Sequence, residues 1–283
     1  MNEKVKYQPI PAPLGHIEPH APLLNIPPEG QSLFKIMTIE NLLRSVAGSY
    51  LHFNRVDSYV DFPVADPHDG QQLPKDQQSN AMARFKKAPD FSAADYYNQS
   101  RARTYACCFS MENSDYIWNN YAKNTEKGKV CIVFRFGKLR TILNETLMPE
   151  NAVLDCNGAR CRQVFSVNYG LVEYVDWNTH QSNQARRPNP IQYTYLKDKQ
   201  FFNEKELRVS LSAMGIGHYV LNDGSALTFP PSLHAGFDFR RAIENGTIQE
   251  ILYAHNSDSG FLNSELSKLG IVPGKYGIPT LSR

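Results

Sequence analysis

Glu204, Glu206 and Arg208 are the residues of this chain whose types and spacing are best suited to chemistry. Apolar and polar residues alternate here, which predicts a strand with Leu207, Val209, Leu211 and Ala213 on one face and Glu206, Arg208, Ser210 and Ser212 on the other. Carboxylates and guanidinium groups are costly to desolvate, so they come together mostly where they pair or do chemistry. An ion pair that holds the sheet is the simpler interpretation, and a catalytic pair is the alternative.

A strand also predicts how the two glutamates are oriented. Residues i and i+2 of a strand share a face, so Glu204 and Glu206 are expected to enter one cleft. Two carboxylates in one cleft can divide their roles, because one can polarise a hydroxyl group while the other activates a nucleophile. Arg208 and Lys35, which is placed on the first predicted strand, are candidates to contact phosphate or to hold the site.

A second candidate site is the polar loop that contains Asp66, His68 and Asp69. Together with Glu206 these side chains could bind a divalent metal ion. Asp-Pro and Asp-Gly are strong turn formers, so a surface turn is the simpler interpretation of the same residues. A metal-dependent hydrolase or nuclease is therefore kept only as an alternative function.

A third candidate is the aromatic pair Trp118 and Tyr121 on a helix predicted near Ser114–Asn124. The pair could stack a base or a nicotinamide ring. Core packing of an amphipathic helix explains the same spacing.

Several kinds of site are excluded by their missing motifs. The chain has no Gly-rich phosphate loop, no nucleophile elbow and no His-Glu-x-x-His zinc helix. Cys156 and Cys161 have no second ligand pair at matching spacing, so no metal is expected there. Any catalytic group must be assembled from distant segments.

Composition limits the possible partners and the compartment. A net charge of +2 gives no drive toward bulk binding of nucleic acid or membranes. No apolar run reaches the length of a membrane span, and no signal peptide is apparent. Five cysteines, two of them adjacent, favour a reducing cytoplasm over a disulfide framework.

The chain is predicted to be one domain with an N-terminal arm. Residues 1–31 are Pro-rich and form either a docking arm for another subunit or a disordered leader, and residues 32–283 form a single domain with a polar insertion at 71–103. Strands and helices are scattered without a regular βαβ rhythm. This favours the α+β class, with a mixed or antiparallel central sheet and flanking helices.

The predicted elements begin with a strand over Leu33–Met37 and a helix capped by Thr38 and ended by Gly48. Further strands are predicted at Tyr50–Phe53, Thr104–Ser110, Val130–Phe136, Arg162–Val175 with a break at Gly170, and Ile248–Tyr253. Further helices are predicted at Ala81–Lys87, Ala93–Arg101, Tyr193–Phe202 and Ser259–Leu269.

A set of short motifs in a fixed order resembles the bacterial family of the domain of unknown function 2971, from about Leu33 to the C-terminus. The motifs are Phe34-Lys35-Ile36-Met37, Asp66-Pro67, Cys108-Phe109-Ser110, Trp118-x-x-Tyr121-Ala122, Lys127-Gly128-x-x-Cys131-Ile132, Glu204-Lys205-Glu206-Leu207-Arg208 and the strand Ile248–Tyr253. Two positions depart from the family pattern. The loop usually reads Asn-Asp-Pro-aromatic-Glu, whereas this chain has Ala65 before Asp66 and His68-Asp69 at the end, and Ile36 stands where a Tyr is common.

The resemblance implies an accessory or effector protein of a bacterial conflict system. The order of Lys35, Ser110, Tyr121 and Glu206 is also similar to the layout of the ADP-ribosyltransferase fold, which is an analogy at the level of fold. It implies an NAD-consuming enzyme, acting as a toxin or in phage defence, with NAD as substrate and no metal. Glu206 would be the catalytic carboxylate with Glu204 as its helper, and Trp118 and Tyr121 would hold the nicotinamide.

The expected partners are a dinucleotide and a protein or nucleic-acid acceptor, with no membrane. A non-enzymatic binding module that acts through the Pro-rich arm is the remaining alternative.

Overall fold

We describe the fold from a computed structural model of the chain. The described residues are 18, 24–61, 65–123, 125–147, 154–156, 159–161, 165–182, 189–213, 229–276 and 280–282. Most of the Pro-rich segment, residues 1–17 and 19–23, lies outside them.

The described elements follow one another in chain order. The strands are β1 Ser32–Thr38, β2 Tyr50–Arg55, β3 Arg84–Phe85, β4 Ala88–Ser92, β5 Thr104–Ser110, β6 Lys129–Arg135, β7 Leu154–Cys156, β8 Ala159–Cys161, β9 Phe165–Leu171, β10 Glu173–Val175, β11 Leu196–Asp198, β12 Glu206–Ala213, β13 Ser232–Gly236, β14 Ile248–Tyr253 and β15 Thr280–Ser282. The α-helices are α1 Ile39–Gly48, α2 Pro74–Met82, α3 Ala93–Arg101, α4 Asp115–Asn120, α5 Phe136–Leu147, α6 Pro190–Tyr193, α7 Phe239–Glu244 and α8 Ser259–Lys268. Short 3₁₀ helices cover Val56–Asp61, Lys199–Glu204 and Pro273–Tyr276.

A nine-stranded sheet organises these elements, in the order β13-β2-β5-β1-β6-β14-β15, with β12 and then β9 joined to β5. Its pairs are antiparallel except β14 with β15. The predicted class, α+β with a mixed or antiparallel central sheet and flanking helices, is confirmed.

The sheet divides at β5. Strand β12 pairs along the whole of β5, from Ser110 to Thr104. The opposite edge of β5 is therefore shared, because β1 pairs with it only at Ser110 and β2 only at Tyr105 and Ala106. Strands β1 and β5 pair only at Phe34 and Ser110 and are separated alongside Lys35 and Cys108. The Lys35 ammonium donates to the Cys108 carbonyl oxygen across this gap, at 3.1 Å.

The two faces of the sheet have different cores. One face carries the main apolar core, to which α1, α5, α7 and α8 contribute; its members include Leu33, Leu42, Phe53, Tyr105, Ile132, Leu143, Val209, Ile243 and Leu266. The other face carries smaller clusters around Trp118 and around Tyr59. A separate cluster around Trp177 includes residues of α3, β10 and α6. The candidate site lies on this second face.

Several predicted elements are confirmed, and four need correction. Thr38 caps α1, with its hydroxyl accepting from the Asn41 N–H at 3.1 Å, and α3 covers the predicted range. The helix predicted over Ala81–Lys87 is wrong, because α2 ends at Met82 and Arg84–Phe85 pairs with Ala88–Ser92 in the hairpin of β3 and β4.

The helix predicted near Ser114–Asn124 is only the six residues of α4, Asp115–Asn120. Strand β9 runs through Gly170, so the break comes at Val172. The helix predicted over Tyr193–Phe202 is replaced by α6, β11 and the start of a 3₁₀ helix.

The described end of the arm packs on the domain. The carbonyl of Asn25 accepts from the Leu171 N–H at 2.8 Å. The Arg140 guanidinium on α5 binds both Glu18 and Glu29. Among the described residues, no helix has the length and apolarity that a membrane crossing needs.

Candidate functional site

A cavity of about 50 Å³ lies where β1 and β5 separate, on the face of the sheet opposite the main core. It is lined by Phe34, Ile36, Cys108, Phe109, Ser110, Ile117, Tyr121, Glu204 and Glu206. The structure therefore brings together four of the site residues predicted from the sequence: the two glutamates, Ser110 and Tyr121.

Glu206 reaches the cavity as the first residue of β12, opposite Ser110 of β5. Its main chain is fixed on both sides, since its N–H donates to the Tyr174 hydroxyl at 2.8 Å and its carbonyl accepts from Val172 at 2.9 Å. The predicted alternation of β12 is confirmed. Leu207 enters the main core, while Glu206 and Arg208 point to the other face.

Arg208 holds Glu206 with a fork of two bonds. Its Nε donates to Glu206 Oε1 at 2.7 Å and its Nη2 approaches Oε2 at 3.2 Å. Nη1 donates to the carbonyl of Thr194 at 2.7 Å, and Nη2 also lies 2.7 Å from Asp69 Oδ1. A bidentate pair of this kind fixes the plane of the carboxylate. The ion pair offered as the simpler interpretation is present, and a cavity lies beside it.

Glu204 enters the cavity from a different element than expected. It ends the 3₁₀ helix Lys199–Glu204 and does not belong to β12. Lys205 follows in the left-handed region at φ 47° and ψ 52°, and this turn directs both glutamates to the same side. The shared cleft was predicted for the wrong reason, because strand geometry accounts only for Glu206.

Lys197 of β11 joins the two carboxylates. Its ammonium bonds to Glu204 Oε2 and lies 3.1 Å from Glu206 Oε2. The ring of Phe201 lies 5.0 Å from the same nitrogen. Lys197 is buried, so its interactions are made away from bulk water.

The site is a buried cluster of three carboxylates and two cations, with one more negative charge than positive if all are ionised. Its members are Glu204, Glu206, Asp69, Lys197 and Arg208, each at most 5% exposed. Because an uncompensated charge is costly in a low-dielectric interior, such a cluster favours binding one proton.

The environment separates the two glutamates in protonation. Burial, followed by repulsion from Glu206, raises the pKa of Glu204 to about 7, although Lys197 acts in the opposite direction. Burial would also raise the pKa of Glu206, but the charges of Arg208 and Lys197 outweigh it and hold that pKa well below its ordinary value. One carboxylate is therefore a fixed anion, and the other exchanges a proton near neutral pH.

Tyr121 and Ser110 connect the cavity to Glu204. The Tyr121 hydroxyl hydrogen-bonds to the Glu204 carboxyl, and burial with the nearby carboxylates raises the pKa of Tyr121. Ser110 Oγ lies 2.8 Å from the Glu204 carbonyl and 2.9 Å from that of Glu112, and its single proton serves one at a time. Ser110 therefore holds the turn that presents Glu204.

Three other predicted site residues do not line the cavity. Lys35 lies on the opposite side of β1 from Phe34 and Ile36, with its ammonium 5.1 Å from the Phe109 ring. Trp118 packs in the cluster behind Tyr121, and its Nε1 donates to Asn113 Oδ1 at 2.7 Å. Arg208 is fully buried behind Glu206.

Sequence reasoning missed Lys197 and the role of Asp69 in this cluster. The sequence predicts a metal ligand or a turn residue at Asp69, whereas in the structure its carboxylate pairs with Arg208. Burial raises the pKa of Asp69 against the attraction of Arg208. Lys197 had no signal of its own, because it fell within a predicted helix.

The alternative metal site is not assembled in this arrangement. The Arg208 guanidinium lies between Asp69 and Glu206. Asp66 accepts instead from the main-chain N–H groups of His68 and Asp198. Across the described part of the chain, no three His, Cys, Asp or Glu side chains are grouped so as to hold a metal ion.

One protein family matches part of this chain. Residues 117–209 match the family model described as protein of unknown function (DUF2971). The predicted resemblance is thus confirmed over that segment, which includes Tyr121, Lys197, both glutamates and Arg208. No curated protein matches the chain.

Solved structures of DarT from Thermus sp. 2.9 align with the chain at 11% identity. The complex with ADP-ribosylated ssDNA aligns over 92% of this chain and 98% of that chain, with a TM-score of 0.29. The complex with NAD+ aligns over 90% and 96%, with a TM-score of 0.28. At these TM-scores the likeness assigns neither a site nor a function to this chain.

Proposed function

We propose that the protein is an NAD-consuming enzyme, an ADP-ribosyltransferase-like transferase or an NAD glycohydrolase, with the cavity as the site of glycosidic cleavage. One observation carries the proposal: two buried carboxylates line one cavity, and their surroundings shift their pKa values in opposite directions. Neighbouring acids whose pKa values are pushed apart are the usual basis for assigning an anion and a proton acceptor.

The chemistry assigns a different task to each glutamate. The bond between nicotinamide and ribose breaks with its electron pair leaving on nicotinamide, and the sugar passes through an oxocarbenium-like state. Glu206, held ionised, accepts a hydrogen bond from a ribose hydroxyl and stabilises the developing positive charge. Glu204 takes the proton of the attacking hydroxyl group as its oxygen bonds to the sugar.

The acceptor decides the product. If water attacks, the products are nicotinamide, free ADP-ribose and a proton. If a protein or nucleic-acid acceptor attacks, ADP-ribose stays attached to it. Tyr121 and Phe34 supply the aromatic wall on which the nicotinamide ring would lie.

Ring binding requires the cavity to widen. A cavity of roughly 150 Å³ accommodates benzene, whereas this one has about 50 Å³. The wall that would move is the end of α4, a helix of six residues. Tyr121 follows it, and Ala122 has φ at 50°, a region that non-glycine residues seldom occupy.

The test is the release of nicotinamide from NAD by the purified full-length chain, with water alone and with added protein or nucleic acid. Wild-type protein is expected to release it. Glu206→Gln and Glu204→Gln are each expected to slow release by roughly 100-fold or more, in line with the loss of one preorganised electrostatic group or one general base. Counting free against attached ADP-ribose separates the two enzyme classes.

Glu173→Gln is the matched control, since Glu173 is an exposed glutamate on the neighbouring β10. It is expected to keep wild-type activity. Depletion of NAD in bacteria that express the wild type, but not Glu204→Gln, would support a toxin or phage-defence role. No nicotinamide release with any acceptor, from protein shown to be folded, would overturn the proposal.

A further inference from the structure

We infer that Lys197 is a positioning residue that holds both cavity carboxylates and favours the ionised form of Glu204. Nothing in the motif pattern pointed to this lysine. The inference rests on the proposed function for its catalytic meaning, but its physical content is a property of the folded protein and can be measured without substrate.

The contacts of the two glutamates are unequal. Among the described residues, Glu206 has two cationic partners, because Arg208 forks onto both of its oxygens and Lys197 adds a contact at 3.1 Å. In the same part of the chain, Glu204 has one cationic partner, Lys197, together with the hydroxyl of Tyr121. A proton taken up by this pair therefore goes to Glu204, where it displaces the least Coulomb attraction.

Lys197 is well placed to act on both carboxylates. It enters from β11, which pairs with β10, and the N–H of the next residue, Asp198, donates to the Asp66 carboxylate at 3.3 Å. Its ammonium therefore comes from an element separate from both glutamates. The Lys197 ammonium keeps its own proton. Burial lowers its pKa, but the attraction of Glu206 and Asp69 outweighs this effect and raises the pKa of Lys197.

Other groups also face Glu204, so the effect of Lys197 has to be separated from theirs. The titratable and charged groups around Glu204 and Glu206 come from β1, β5, β10, β12, the Asp66–Asp69 loop, the residue before β11, and α4 with the residue after it. They are Lys35, Asp69, Cys108, Tyr116, Tyr121, Tyr174, Tyr195 and Arg208. None of these groups is a cation that bonds to both glutamates, as Lys197 does.

The experiment follows the Glu204 carboxyl carbon by NMR in protein labelled with ¹³C at glutamate side chains, with the signal assigned from its loss in Glu204→Gln. In Lys197→Met the midpoint of Glu204 is expected to rise by roughly 1–3 pH units, because an opposite charge at this range shifts a carboxyl by that amount. Lys197→Arg keeps the cation and is expected to stay near wild type.

Lys199→Met is the matched control, since Lys199 lies two residues away with its side chain 65% exposed and pairs with Asp176. It is expected to leave the midpoint unchanged. If Lys197→Met does not fold, Lys197→Gln carries the test, because it removes the charge but keeps a polar side chain, and the same rise is expected. An unmoved midpoint in the folded variant overturns the inference.

The activity profile then separates this inference from the proposed function. If the wild type consumes NAD, the rise of kcat/KM with pH in Lys197→Met moves upward together with the NMR midpoint. If the wild type consumes no NAD but the midpoint still moves, the proposed function fails and the role of Lys197 stands. If NAD is consumed and the midpoint does not move, the proposed function stands and the inferred role of Lys197 fails.

Discussion

The two faces of β12 are both buried, but they are buried in different ways. Leu207, Val209 and Leu211 enter the main apolar core. The other face carries Glu206 and Arg208, which are buried just as deeply but are surrounded by charges. Apolar burial is non-directional, and many side chains of similar volume satisfy it. Each charge on the polar face depends instead on a few specific partners.

This difference shows where the constraints of the fold and of the site lie. The apolar face stabilises the sheet. The polar face contributes little net stability for the number of contacts it makes, because desolvation offsets much of the attraction between buried charges. Its contacts fix the position and ionisation of side chains beside a cavity, which is what a catalytic site requires.

The largest effect is expected from removing one charge on the polar face. Arg208→Met leaves Glu206 and Asp69 without their shared cation, and we expect a loss of about 3–5 kcal/mol in the free energy of unfolding at pH 7. Leu207→Ala, on the apolar face, should lose about 2–5 kcal/mol through its cavity. Urea unfolding measures both.

The two losses differ in their dependence on pH. Arg208 depresses the pKa of Glu206. The stability contributed by this ion pair is therefore present above pH 4.3, about the pKa of a glutamate in the unfolded chain, and is lost as the pH falls below that value. In Arg208→Met the buried carboxylates can be protonated at pH 5, which makes the loss smaller there than at pH 7. Leu207→Ala should lose the same at both pH values. Equal losses for Arg208→Met would contradict the comparison.

A smaller effect is expected at Glu204. Its pKa is raised to about 7 in the folded chain, so its contribution to stability is present below the unfolded pKa of about 4.3 and is lost as the pH rises through 7. Between pH 5 and pH 8 the wild type should therefore lose about 2 kcal/mol of its free energy of unfolding through Glu204. Glu204→Gln should not show this loss. Thermal or urea unfolding across pH 5–8 tests it, and parallel curves for the two proteins would count against it.

Tyr121→Phe removes one hydrogen bond on the polar face. We expect a loss of about 1 kcal/mol at pH 8, where Glu204 is ionised, and less at pH 5. The Glu204 pKa should also rise slightly, since the Tyr121 hydroxyl favours the ionised form. Tyr253→Phe, beside the main core, is the control and should show no such dependence on pH.

The smallest effect concerns the turn between the glutamates. Lys205 has a left-handed backbone, so Lys205→Gly should be more stable than Lys205→Ala by roughly 1 kcal/mol. Its ammonium lies 3.2 Å from the centre of the Phe202 ring. If the two variants are equally stable, the turn is not under backbone strain.

The elements that the sequence predicted well are those determined by local patterns. The alternation of β12 and the cap of α1 at Thr38 depend only on neighbouring residues, and both are present. Glu204 was expected on a strand because the pattern gives no sign of a left-handed residue at Lys205.

The partners on the polar face could not be predicted in the same way. Asp69 and Arg208 are far apart in sequence, and only the packing of the loop against β12 makes them an ion pair. Lys197 looked like one polar residue of a helix, whereas it lies on β11 beneath both glutamates. Long-range charge pairing leaves no periodic signal in a single sequence.

The central claim is that two neighbouring glutamates at one cavity titrate in different pH ranges, and a ¹³C NMR titration of their carboxyl carbons in the wild-type chain tests it most directly. The account predicts one resonance, absent in Glu204→Gln, that titrates at about pH 7, and one, absent in Glu206→Gln, that remains in its ionised position to the lowest pH at which the chain stays folded. Two resonances that both titrate near the ordinary value of about 4.3 would contradict it.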